Sequence, residues 1–183
     1  MFRVAESQGH HLRVMPRLLL LSVILFQAPT SLVAQDLLYV ASQEEVTVSV
    51  IDTRSNELLE TVDLKTLGFA ESAKAHHTAV EPDGSFWYVS LISAGTVLKF
   101  DRQNRLVARA NFEAPGMLSL DPTSDRLYVG RSMAAVNPPQ RIGVIQRSSM
   151  QIDEVDVFFP RPHALAVDPH GERFFTASLG QNT

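Results

Sequence analysis

Cysteine is absent from all 183 residues. That removes disulfides, thiolate nucleophiles, Cys-ligated zinc, iron–sulfur clusters and C-x-x-C-H haem attachment together. Positive charge is scarce too: 16 basic against 20 acidic side chains leave a net charge of −4, so no nucleic-acid footprint is present. Glycine and proline number only 9 and 10, too few for a collagen-like or low-complexity chain. Nor is there a G-x-S-x-G, H-E-x-x-H, Walker or dinucleotide-binding word. What is left is an ordinary composition, 45% hydrophobic and 20% charged, of a length that suits one domain or slightly more.

The only long apolar run lies near the start. Residues 1–17 carry Arg3, Arg13 and Arg17 against Glu6, and the charge-free run Leu18-Leu19-Leu20-Leu21-Ser22-Val23-Ile24-Leu25-Phe26 follows. Pro29 and the stretch Ser31-Leu32-Val33-Ala34 close the segment. This basic, apolar, small-residue order is that of a secretory signal peptide over residues 1–34, with cleavage expected after Ala34. Met15 is a second candidate start, and an uncleaved anchor is the competing interpretation of the same run. Removal of the segment leaves 149 residues with 13 basic and 19 acidic side chains, a net charge of −6. The expected location is secreted or periplasmic, where a cysteine-free chain is at ease, with membrane contact only through the transient signal.

Beyond residue 34 the sequence repeats itself. His76-His77-Thr78-Ala79-Val80-Glu81-Pro82-Asp83-Gly84 precedes Phe86-Trp87-Tyr88-Val89-Ser90. Gly116-Met117-Leu118-Ser119-Leu120-Asp121-Pro122 precedes Arg126-Leu127-Tyr128-Val129-Gly130. His163-Ala164-Leu165-Ala166-Val167-Asp168-Pro169-His170-Gly171 precedes Arg173-Phe174-Phe175-Thr176-Ala177. The prolines at 82, 122 and 169 set periods of 40 and 47 residues, and Leu37-Leu38-Tyr39-Val40 begins a degenerate earlier copy. Each unit parses into four short strands, a to d, joined by turns in which Pro fixes φ and Gly supplies the left-handed position. Strand a falls at 76–80, 116–120 and 163–167, strand c at 46–51, 97–100 and 142–145, and strand d at 58–62, 106–110 and 152–157. Four strands per 40–50 residues without helical periodicity predict an all-β chain, a partial β-propeller of four-stranded antiparallel blades. An immunoglobulin-like sandwich does not predict turn words recurring in register. The expected blade segments are 37–64, 75–112, 115–158 and 162–183, about three to three and a half blades. Because residues 178–183 match the start of a longer turn word, an incomplete reading frame is expected.

The words Tyr39-Val40, Tyr88-Val89-Ser90 and Tyr128-Val129-Gly130, with Val50-Ile51-Asp52 closing a c strand, resemble YVTN-type repeats. Those repeats occur in secreted YncE-like propeller proteins. The resemblance implies the fold across residues 35–183 but leaves function open, since such propellers include binders, surface-layer modules and cofactor-bearing enzymes. Among the last are haem-binding and copper-binding propellers of denitrification enzymes.

Antiparallel order places turns a–b and c–d on one face and loops b–c and d–a on the other. The first set is short and stereotyped, whereas the second is longer and variable, the expected place for binding. Arg131, Asn137, Arg141 and Arg161 on or near this long-loop face are candidate ligand contacts. His76 and His163 each stand six residues before a repeat proline, His77 follows His76, and Met117 holds the position of His77 one blade later. His76, His77 and His163 are therefore candidate ligands for copper or another transition metal, or for haem. The expected function is an exported, non-catalytic binding scaffold for a small molecule, glycan or protein, without a required cofactor. A channel-centred metal or haem oxidoreductase and a surface-layer repeat module are the alternatives.

Overall fold

A computed structural model describes residues 36–135 and 140–181. The proposed signal segment and Asn137 lie outside the described residues. Residues 35–183 form one compact unit. Its strands make four antiparallel sheets in chain order. The first holds β1 (Leu37–Ser42), β2 (Thr47–Asp52) and β3 (Glu57–Asp63). The second holds β4 (Ala75–Val80), β5 (Phe86–Leu91), β6 (Thr96–Asp101) and β7 (Leu106–Asn111). The third holds β8 (Pro115–Leu120), β9 (Arg126–Arg131), β10 (Arg141–Gln146) and β11 (Gln151–Asp156). The fourth pairs β12 (Pro162–Val167) with β13 (Phe174–Ser178). These are propeller blades, and β4, β8 and β12 lie side by side as their inner strands. Among the described residues no helix is long and apolar enough to cross a membrane.

The strand period explains how blades stack. In β5, Trp87, Val89 and Leu91 point toward the first sheet, where they bury against Val48, Val50, Leu64 and Tyr39. The alternate residue Tyr88 points the other way, into a core with Leu118, Leu127, Val129 and Ile145. A strand covered on both faces has no polar alternation, which is why Phe-Trp-Tyr-Val reads as a continuous apolar run. Trp87 stacks on Phe100 with ring centres 4.2 Å apart and planes 9° off parallel, worth about 1 kcal/mol beyond the area buried.

The short turns close one face by side-chain capping. Asp121 Oδ1 accepts the amides of Thr123 at 2.9 Å and Ser124 at 3.2 Å, and Asp168 accepts those of His170 and Arg173. Asn56, Asn104 and Met150 occupy one left-handed position in the three c–d turns, with φ between 56° and 58°. On the other face Lys74, Ala114 and Arg161, each just before an inner strand, are also left-handed. Their carbonyls accept the amides of Ile92, Ser132 and Leu179, tying each b–c loop to the linker that enters its blade. The expected loop from residue 64 contains a short 3-10 helix, Leu64–Leu67, capped by Asp63 and ended by left-handed Gly68.

Candidate functional site

The inner strands all start with the same irregularity. Pairing with the neighbouring strand shifts between Ala75 and His77, between Pro115 and Leu118, and between Pro162 and Ala164. Such a bulge leaves a residue without a ladder partner and re-aims its side chain. His76, Gly116 and His163 occupy that position in blades two, three and four. The bulges thus collect the histidines at the long-loop end of the inner strands.

What each ring does there differs. His77 Nδ1 accepts the Leu118 amide at 3.2 Å, so its neutral ring carries the proton on Nε2. His163 Nδ1 lies 2.9 Å from the Arg131 carbonyl, which only accepts, so this ring carries its proton on Nδ1. His76 makes neither bond, and its Nε2 is buried without a hydrogen-bond partner. The His76 and His163 rings are 5.9 Å apart, centre to centre, and tilted by 42°. Burial holds His76 below the ordinary imidazole range, and the neighbouring His163 adds to the effect. His77 is lowered likewise, by burial first and then by His76 and His163. At neutral pH His76 and His77 are therefore uncharged and unsuited to holding an anion. Among the described residues no group of three His, Cys, Asp or Glu side chains is arranged to hold a metal ion. Of the three histidines, His77 already uses its Nδ1 to accept the Leu118 amide.

The arginines separate as well. Arg131 is the last residue of β9 rather than a loop residue, and its side chain is 1% exposed. Its guanidinium bonds Glu154 at 3.0 Å, the Glu113 carbonyl at 3.0 Å and the Arg141 carbonyl at 3.3 Å. It also lies 4.3 Å from the centre of the Phe112 ring. With its donors engaged and its surface covered, Arg131 is not open to a ligand. It stands at the long-loop end of its blade, where β9 ends and β10 begins, and ties those strands to the linker before β8. Arg141 opens β10, exposed, and pairs with Asp156 at 2.6 Å. Arg161 is exposed in the linker to blade four, at φ 54°.

Two features were not legible as site residues. The long-loop face holds a recess of about 330 Å³ floored by Ile92–Gly95, Glu113, Ala114 and Ala134. It also presents apolar side chains at its loop tips: Phe158 is 87% exposed, Met133 65%, and Leu67 and Leu179 more than 40%. Phe158 has φ 61°, a left-handed conformation that β-carbon crowding disfavours. The opposite turns themselves carry no exposed large apolar side chain among the described residues, since Met150 is buried, and the apolar residues that border them, Val80 and Leu106, are less exposed at 38% and 36%. There a buried network takes over: Tyr88 donates to Glu81 at 2.5 Å, Glu81 pairs with Arg147 at 3.3 Å, and Lys99 donates to the Arg147 carbonyl at 2.7 Å. Burial and the bond to Glu81 push the Tyr88 hydroxyl far above its usual range, so it stays protonated. Burial also lowers Lys99, whose ammonium sits 3.9 Å from the centre of the Phe86 ring. These groups join blades two and three from within.

No family model matches the chain, and no curated protein matches it. Solved structures do. The chain is similar to Kuenenia stuttgartiensis hydrazine synthase at 21% identity and a TM-score of 0.67, over 79% of this chain and 40% of that one. It is similar to the WD40 repeats of RRP9 at 12% identity and a TM-score of 0.58, over 71% of this chain and 38% of that one. A chain of a mitotic checkpoint complex matches at 14% identity and a TM-score of 0.61, over 78% of this chain and 42% of that one. At such identities the likeness concerns the fold, a propeller of the WD40 type. The chain spans about two-fifths of the length of these structures.

Proposed function

We propose that the chain is an exported, non-catalytic binding scaffold of the YVTN type that engages a protein or peptide partner through its long-loop face. One observation carries this reading: exposed apolar side chains stand on the loops of that face and not on the opposite turns. Aromatic and methionine side chains left in water at loop tips are the residue types enriched at the centres of protein interfaces. The recess floored by Ile92–Gly95 lies on the same face and offers room for a partner side chain. The partner's chemistry follows from that surface: apolar side chains complement Phe158 and Met133, whereas Arg131 and Arg141 are already committed to protein carboxylates. Export rests on the basic and apolar order of residues 1–34.

A displayed peptide library selected against the full chain tests the face. Peptides rich in Phe, Leu and Trp are expected to bind. Their affinity should fall by about tenfold or more in the double variant Phe158→Ser, Met133→Ser, and stay unchanged in the turn variant Glu172→Ser. Selected peptides that bind the loop variant as well as they bind the native chain overturn the reading. Export is checked by the mass of the product from a secreting host: an N-terminus at Gln35 supports it, and an intact Met1 or Met15 contradicts it.

A further inference from the structure

His76 and His163 sit on strands β4 and β12, which flank β8 in the row of inner strands. Gly116 of β8 occupies the equivalent position and adds no side chain, because a β-carbon there would press at 3.0 Å on the Arg131 carbonyl and the Ser132 amide. The two imidazole ring centres are 5.9 Å apart.

Their nitrogens are unevenly employed. His163 donates its Nδ1–H to the Arg131 carbonyl, which leaves Nε2 as the nitrogen available to a ligand. A backbone carbonyl on the far nitrogen is also the usual way a metal-bound imidazole is oriented. His76 Nε2 is buried and has no protein partner. A buried polar nitrogen left unpaired costs about 1–3 kcal/mol unless something other than protein satisfies it. His77 does not join this pair, because the Leu118 amide occupies its Nδ1.

Charge decides what kind of group fits. Among the described residues no group of three His, Cys, Asp or Glu side chains gathers to hold an ion, so no carboxylate completes a set with the two imidazoles. A divalent ion between two neutral imidazoles would have no counter-charge, and the cost of burying an ion rises steeply with its charge. A singly charged, borderline-soft ion is served well by nitrogen donors alone. Distance agrees. With metal–nitrogen bonds of about 2 Å, two imidazoles on opposite sides of one ion have ring centres about 6 Å apart, against about 5 Å at a tetrahedral angle. The observed separation matches the near-linear case, the arrangement a filled-shell monovalent copper ion takes with two donors.

We propose that His76 and His163 form a two-nitrogen site for monovalent copper at the mouth of the row of inner strands. This goes beyond the scaffold reading and does not depend on it, since the loop-tip residues Phe158 and Met133 take no part. No electron transfer is involved: the ion enters as Cu(I) and is held as Cu(I).

The experiment is anaerobic titration of the full chain with Cu(I) against a colour-forming copper chelator, in a background of His10→Asn and His11→Asn that removes the other adjacent histidine pair. One equivalent of Cu(I) is expected to be held, with a raised melting temperature. His76→Asn or His163→Asn should weaken binding by about 100-fold or more, and His77→Asn should leave it within about threefold. Absorption at the copper edge of the loaded His10→Asn, His11→Asn chain, with His76 and His163 intact, gives an independent check: a two-coordinate, nitrogen-only signature is expected. A three- or four-coordinate signature, binding that survives both substitutions, or tighter binding of Zn(II) than of Cu(I) overturns the proposal.

Discussion

Blade three meets its two neighbours in different ways at one equivalent position. Toward blade two, Ser90 Oγ accepts the His77 amide at 3.2 Å and donates to the Gly116 carbonyl at 2.7 Å, a hydroxyl bridge between sheets. Toward blade four, the residue equivalent to Ser90 is Gly130, and the bridge is gone. A β-carbon there would stand 2.6 Å from the His163 carbonyl oxygen. One seam is held by a polar relay and the other by direct backbone approach. The imidazoles follow suit: His77 receives a proton bond from blade three, whereas His163 gives one to it. A repeat fold thus keeps its spacing while exchanging the chemistry that sets it.

The largest effect should come from filling the tighter seam. Gly130→Ala forces backbone to move and is expected to cost about 2–3 kcal/mol in denaturant unfolding. A loss under about 0.5 kcal/mol would show that the seam has slack. Ser90→Ala, with its β-carbon already accommodated, should cost less, about 1–2 kcal/mol, because it strands a buried carbonyl and an amide. If both variants unfold alike, the two seams are not distinct.

The pH response comes next in size. Folding lowers the proton affinity of His77 and His76, so the unfolded chain binds more protons as pH falls through the ordinary imidazole value of 6.5. Stability should be level above about pH 7.5 and decline below 6.5, then level off under the lowered folded values. His77→Asn keeps an acceptor for the Leu118 amide and removes one titration, so its slope between pH 7 and 5 should be shallower. An unchanged slope would place the titration elsewhere. Smallest are the left-handed residues that the seams share. Ala114→Gly and Arg161→Gly should each stabilise by about 0.5 kcal/mol, read as a rise in melting temperature. Unequal gains would mark one seam as more strained.

The sequence carried the architecture because the turn words are local. Asp-Pro turns, strand alternation and the aromatic-Val pair each fix a few neighbouring residues, and β4 to β13 fall where those words place them, to within a residue or two. The site was less legible. Nothing in the sequence marks Gly116 as more than the start of a repeat word, yet its β-carbon position is closed by Arg131 and Ser132 backbone at 3.0 Å, so the blade between His76 and His163 takes glycine there. Arg131 looked like a loop residue because the strand before it ends with no turn word, and its partners Glu113, in the linker before β8, and Glu154, on β11, are distant in sequence. The left-handed Lys74, Ala114 and Arg161 share no residue type. The conformation comes from their common place before an inner strand, which no local pattern announces.

The opposite use of the two imidazoles tests this account most directly, since it follows from the seams and from nothing else. Long-range nitrogen–proton NMR of the histidine rings at pH 8 reads the tautomer of each. The prediction is a proton on Nε2 of His77 and on Nδ1 of His163. The same tautomer on both rings, or rapid exchange between the two forms at either, would contradict it.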